Sequence, residues 1–339
     1  MSAQSSEGFN LQLLDTMLHY LIRRIMQMIP LLFFISALIY LLLYLMPGDP
    51  LYSMLEDVPN LRPEDYKRLR RLYGLDDPVY IQYWKWLWQM LHLNPGYSRE
   101  YGQPVFDVIL PALKNTLVLT ITAVVIGKSL AILLGIFSAI RQYSIWDYVL
   151  TVLTFIGYCI PGFWLALMMI IVFAVKLGWL PTSGMVSPDI IPGSWAATLD
   201  WIKHLILPVA VLSISEIIQV QRYMRSSLLE VLRQDYLTTA RAKGLNERIV
   251  IGRHALKNAL IPVVTIIAIT MPRVIGGSTV VETVFGYPGM GRLLYVSIMG
   301  NDFVVAMTVV MIIAFTVVFF NLLADILYGW LDPRIRYQE

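Results

Sequence analysis

The triplet Gly127-Lys128-Ser129 has the residue types that close a phosphate-binding loop of the form GxxxxGK[ST]. Such a loop aims successive backbone N–H groups at phosphate, after a strand and at the start of a helix. Here Thr122 stands where the first glycine is required, and the triplet sits inside the apolar run 115–140. A continuous helix keeps its N–H groups for its own ladder, so the chain is not expected to bind or hydrolyse ATP itself. His19, His92, His204 and His254 are scattered, with no HExxH pair and no GxSxG elbow. Cys159 is the single cysteine and lies in an apolar run, which excludes an intrachain disulfide and a paired-cysteine metal site. The sequence therefore predicts no catalytic residue, no metal site and no enzyme.

Three ionisable residues interrupt apolar runs: Glu216, Arg273 and Asp325. A charge in hydrocarbon costs roughly 2.5–3.5 kcal/mol on an insertion scale, so each must face protein or a wet path. Asp325 lies near the end of its run and reads as a charge reaching the interface. Glu216 and Arg273 either line a solute path or form a structural pair, and are the candidate path residues.

The remaining chemistry is electrostatic. Arg222, Arg225, Arg233, Arg241, Lys243, Arg248, Arg253 and Lys257 fall between two apolar runs, opposed only by Glu230, Asp235 and Glu247. Basic residues beside membrane ends resist translocation, so this loop is expected on the cytoplasmic side. It is also patterned. Leu228, Leu229, Leu232, Tyr236 and Thr239 recur at helical spacing, Gly244 ends the pattern, and a second helical pattern begins at Ile249. The spacing predicts a helix, a glycine turn and another helix.

The elements around this loop are those of a membrane protein. Hydrophobic residues make up 57% and charged residues 14% of the 339, well below the charge content of soluble chains. The net charge of +3 is small and its basic residues flank apolar runs, which gives no case for nucleic acid. The run 25–46 has the length of a span, about 20 apolar residues. Further runs cover 115–140, 149–175, 205–220, 259–281 and 303–330, and six spans put both termini on the cytoplasmic side. The divisions expected are a tail over 1–24, a first span over 25–46, an external segment over 47–113, a five-helix core over 114–330 containing the loop 222–258, and a tail over 331–339. Leu11, Leu14, Leu18 and Leu21 form an apolar stripe, either a short interfacial helix or an early start of the first span. Pro47-Gly48-Asp49-Pro50 must end that span. In the external segment, Tyr83, Trp84, Trp86, Leu87, Trp88 and Leu91 predict an aromatic helix at an interface, either touching a binding protein or capping the membrane. Gly127, Ala131, Gly135 and Ala139 put small residues on one helix face, a seam for close helix packing.

The wording DYLTTARAKGL followed by RHALKNALIPVVT resembles the docking loop of ABC-transporter permeases, specifically the B-type subunit of dipeptide, oligopeptide and nickel importers. Relative to the general Glu-Ala-Ala-xxx-Gly form, Thr238 stands in place of Glu, His254 in place of Ile and Lys257 in place of Pro. The phrases Pro47 to Pro50, Gly74-Leu75-Asp76, Trp179-Leu180-Pro181, Glu282 to Gly291 and Asp332 to Arg336 are also similar to that family, so the likeness covers nearly the whole chain.

The resemblance implies an all-α permease of the type I ABC importer fold in the bacterial cytoplasmic (inner) membrane. Its implied partners are a second permease, two ATP-binding subunits that would hold ATP and Mg, an external solute-binding protein and membrane lipid. Asp235, Tyr236, Ala240, Arg241, Ala242 and Gly244 are the expected ATPase-docking residues. Peptides are the expected solute, with nickel chelates or opine-like compounds as alternatives. The rival function is an ion- or proton-coupled secondary transporter working alone, which Glu216 and Arg273 would serve.

Overall fold

Apolar runs with no water to satisfy their backbone must close their hydrogen bonds internally, and these runs do so as helices. The computed structural model describes the backbone of residues 3–45, 63–72, 74–275 and 278–331, and the side chains of 22–42, 44–45, 64–72, 74–267, 270 and 278–323. Among these residues no strand forms; Tyr97 and Pro104 make one isolated bridge. The chain divides into two units, residues 1–113 with 293–339 and residues 114–292.

In the first unit, α1 (Ala3–Tyr44) is one helix with Pro30 inside it. The backbone from Leu11 to Leu21 is continuous with the helix of the first span, with no breaker between them. The breaker at 47–50 lies outside the described residues, just beyond the helix end. After α2 (Pro63–Leu72), α3 (Val79–Leu91) crosses α1. The last helix, Phe303–Leu331, packs along α1. Its start is capped by Asp302, 1% exposed, which accepts from the Val305 N–H at 3.3 Å and from Ser98 Oγ at 2.5 Å. Asp325 and the phrase 332–336 lie outside the described side chains.

The second unit takes up α4 (Val105–Ile140) from Lys114 onward, then α5 (Ile145–Cys159), α6 (Gly162–Met169) with a π-helical continuation Ile170–Lys176, and α7 (Trp195–Leu232). Then come α8 (Asp235–Ala242), α9 (Glu247–Ile249), a π segment Val250–Ala255, α10 (Leu256–Ile275), α11 (Thr279–Val284) and the first residues of α12 (Met290–Met299), which belongs to the first unit from Leu293 on. The final helix Phe303–Leu331 is α13. The run 149–175 is not one straight span as expected. It breaks at Pro161, and its two halves are bent by 106°. Pro161 removes an N–H and forces Ile160 into an extended conformation (ψ 123°), so the helix cannot run through. Among the described residues, five helices are long and apolar enough to cross a membrane, or six spans if the bent pair counts as one. The run 205–220 is the centre of a 38-residue helix, with Pro208 buried inside it.

The small-residue stripe is a seam, as the spacing predicts. A Cβ on Gly127 would lie 2.9 Å from the Ser213 carbonyl of α7, and one on Gly135 would lie 2.6 Å from Met224 Cβ. Ala131 and Ala139 are buried in the same contact. Lacking side chains, the glycines let α4 and α7 approach closely where lipid supplies no hydrophobic drive.

The phrase from Glu282 to Gly291 is a structural knot. Glu282 is fully buried and accepts from Thr116 Oγ1 (2.8 Å), Gly291 N–H (2.7 Å) and Arg292 N–H (3.1 Å). It thereby satisfies orphan donors at the start of α12. A Cβ on Gly289 would meet Glu282 Cδ at 2.5 Å, so glycine is what lets the loop pass over the carboxylate. Burial pushes the Glu282 carboxyl up, against the pull of its three donors. Burial, and then the Glu282 charge, push Tyr287 up to about 12. The Trp179 loop meets this knot, with Gly184 N–H donating to Phe285 O at 2.8 Å.

Candidate functional site

The basic loop folds as helix, glycine turn, helix. Helix α8 buries Leu237 completely and half-buries Ala240 against the cluster of Met224, Leu228, Val250 and Ala255. These two residues, three apart, face inward. Asp235, Tyr236, Thr238, Thr239, Arg241, Ala242 and Lys243 are exposed. The turn has two closing bonds, Leu245 N–H to Ala240 O (3.4 Å) and Gly244 N–H to Arg241 O (2.9 Å). That is the double-bonded helix stop that places a left-handed residue after the C-cap, and Gly244 has φ +80°. Nothing lies within 4 Å of a Cβ built on Gly244, so its requirement is conformational and its outer side is open.

The second helix differs in detail from its pattern. Asn246 caps it by accepting from the Arg248 N–H, and α9, the π segment and α10 follow without a gap, so the loop runs straight into the next span. Tyr236 Oη joins the two arms, accepting from Asn258 Nδ2 at 2.8 Å.

Of the six residues expected to meet an ATPase, Asp235, Tyr236, Arg241, Ala242 and Gly244 lie on the exposed rim, while Ala240 is half-buried beneath it. Arg241 is held within the chain, donating twice to Glu247 at 2.9 and 3.2 Å. It braces α8 against α9, an exposed pair worth under about 1 kcal/mol to stability. Arg233, Lys243, Arg248, Arg253 and Lys257 remain as exposed cationic groups.

Arg225 also has a partner that the loop's sequence does not reveal. Its Nε and Nη2 donate to Asp147 Oδ1 (2.8 Å) and Oδ2 (2.7 Å), a two-pronged pair. Asp147 is 3% exposed and also accepts from Ser138 Oγ and from the Tyr143 N–H. The turn between α4 and α5 is thus tied to α7 two helical turns before that helix ends at Leu232. Arg225→Ala should lower stability by about 3–5 kcal/mol, because it strands a buried carboxylate. Arg225→Lys should recover only part, since an ammonium cannot make the paired geometry. Unfolding midpoints of detergent-solubilised protein check both.

Glu216 pairs with Lys128, Nζ to Oε2 at 3.6 Å, with the Lys128 side chain 6% and the Glu216 side chain 17% exposed. Lys128 also donates to Thr270 Oγ1 at 2.9 Å. The triplet that resembled a phosphate loop thus supplies the counter-charge that Glu216 needs, joining α4, α7 and α10. The Arg273 side chain lies outside the described residues. No group of three His, Cys, Asp or Glu suited to a metal occurs among the described residues.

Residues 131–337 match the family described as "Binding-protein-dependent transport system inner membrane component", and residues 17–120 match its N-terminal companion. An oligopeptide transport system permease protein of Bacillus subtilis, AppB, is 42% identical over 94% of this chain and 99% of its own length. A putative peptide transport system permease protein of Brucella abortus is 38% identical over 94% of this chain and 98% of its own. A dipeptide transport system permease of Alkalihalophilus pseudofirmus, DppB, is 36% identical over 95% of this chain and all of its own. Among solved structures, two crystal forms of the inward-facing MetNI methionine ABC transporter share the fold, with TM-scores of 0.53 and 0.51 at 18% and 19% identity. They cover 67% and 66% of this chain and 97% and 96% of theirs.

Proposed function

This chain belongs to the binding-protein-dependent inner membrane permeases of ABC importers, and we propose that it carries peptides as one of two permease halves driven by ATPases docked on the loop around Gly244. It is a multi-pass protein of the inner membrane, with the type I importer fold. The peptide reading rests on the relatives, whose names are those of oligopeptide, dipeptide and peptide permeases. The nickel-chelate and opine readings have no such support.

The observation that carries the coupling role is the architecture of the loop. Leu237 anchors a short helix to the bundle while its rim stays open. Two bonds fix the turn, and the second arm continues into α10. A push on the rim passes to α7 and α10 through packed side chains rather than through a hinge. Asp235, Tyr236, Ala242 and Gly244 would meet the ATPase, and Ala240 and Arg241 would hold the rim in shape. ATP and Mg would sit in the two partner ATPases, and an external binding protein would deliver the peptide.

Liposomes holding this chain with its second permease and both ATPases should take up peptide only when the binding protein and ATP are supplied. The chain alone should take up none. Uptake by the chain alone, driven by an ion gradient, would establish the secondary carrier instead. Glu216 argues against that carrier, because its charge is already met by Lys128.

A further inference from the structure

Helix α3 lies in the segment between the first two spans, where the sequence predicts an aromatic helix at an interface. Its faces are sharply divided. Tyr83 and Trp86 are buried against α1. Tyr80, Trp84, Trp88 and Leu91 are 56–71% exposed, and their spacing puts them on one face. Lys85 and Gln89 lie on the other side, and Lys85 is held by Asp77 at 2.5 Å.

Its crossing point on α1 fixes its depth. Tyr83 Oη meets Ser36 Oγ at 2.8 Å, and Tyr40 Oη donates to Gln82 Oε1 at 3.3 Å. The Trp84 ring lies 5.8 Å from Phe33. The apolar helix α1 ends at Tyr44. At the helical rise, Ser36 is about 12 Å and Phe33 about 16 Å short of that end. Trp84 is therefore on the side of α3 that points toward the membrane centre, while Gln82 points back toward the end of the span. Phe33, which the Trp84 ring meets, is exposed, and so are Phe34, Leu38 and Leu41 along the same membrane-spanning helix. The aromatic stripe joins that apolar surface at Phe33.

We propose that α3 is an in-plane membrane anchor, with Tyr80, Trp84, Trp88 and Leu91 immersed in the lipid leaflet at the Tyr44 end of α1. Lipid is the occupant because the stripe joins a surface that already faces acyl chains. It is also aromatic, as suits the boundary between chains and headgroups. Gln82 donates to Leu75 O and Asp77 O, and Arg70 pairs with Asp76, so α2 and the turn at Gly74 are tied to the anchor. The bilayer surface thus sets where this external segment sits.

Nine tryptophans make intrinsic fluorescence unspecific, so the test uses single labelled cysteines in a Cys159→Ser background. Trp84→Cys, Trp88→Cys, Leu91→Cys and Gln89→Cys would each be labelled with bimane in the full chain and placed in phosphatidylcholine vesicles. Nitroxide-labelled lipid should quench positions 84, 88 and 91 at least about threefold more than position 89, and aqueous iodide should show the reverse order. Equal iodide quenching on both faces would overturn the anchor. Protection of the stripe from both quenchers in the assembled transporter would overturn it too, and would assign the face to a protein partner. Leu91→Cys keeps the test valid where replacing a tryptophan prevents folding.

Discussion

Gly244→Asp should abolish ATP-driven uptake while the chain still inserts, folds and assembles with its second permease. The backbone at Gly244 is left-handed, with φ +80°. Aspartate is among the few side chains that visit that region, so the strain is on the order of 1 kcal/mol. No atom of the chain lies within 4 Å of the new Cβ, so nothing inside the protein is displaced. The bonds from Leu245 to Ala240 and from Gly244 to Arg241 use backbone atoms and survive. What changes is the outer surface, where a carboxylate appears on a rim that carries Lys243 and Arg248. A docked ATPase would meet both the bulk and the reversed charge. Uptake should fall by more than about tenfold, as a lost interface contact of a few kcal/mol implies, with the unfolding midpoint nearly unchanged. Gly244→Asn, of the same shape without the charge, separates the two contributions. Normal uptake by stably expressed Gly244→Asp protein would remove the docking role from this turn.

That turn was legible because its signals are local. A glycine placed after a helical pattern predicts a left-handed stop, and the stop is there. The small residues at every fourth position of α4 announced the seam with α7 for the same reason, since one helix carries the whole pattern. The losses have a common physical cause. Arg225 reads as one more cytoplasmic charge because its partner, Asp147, is 78 positions away. Lys128 looked like a fragment of a nucleotide motif because the residue it answers, Glu216, lies on another helix. Glu282 looked like part of a turn phrase, although its carboxylate organises the start of α12. Pairings across helices leave no periodicity in either segment. The break at Pro161 is different. Its signal was present, but the absence of charge across 149–175 favoured a continuous span over the rule that proline ends a helix.

The Lys128–Glu216 pair carries the second large expectation and decides between the two roles open to Glu216. Both side chains are nearly removed from solvent, so deleting one leaves a bare charge inside the bundle. Lys128→Met and Glu216→Leu should each destabilise the chain by about 3–5 kcal/mol. The Lys128→Met/Glu216→Leu double variant should recover most of that loss, because apolar residues of similar volume replace a buried pair at little cost. The Lys128 bond to Thr270 is lost in Lys128→Met and in the double variant, and leaves a hydroxyl that still donates to Ile266 O at 3.0 Å. If the pair only braces α4, α7 and α10, uptake per folded transporter returns with stability, and that is the expected result. A double variant that folds as well as the parent yet fails to transport would place Glu216 on the solute path. Unfolding midpoints and uptake measured on the same four proteins, parent included, give both answers. The comparison works because the brace requires only that the charges cancel, whereas a binding role requires that the carboxylate be there.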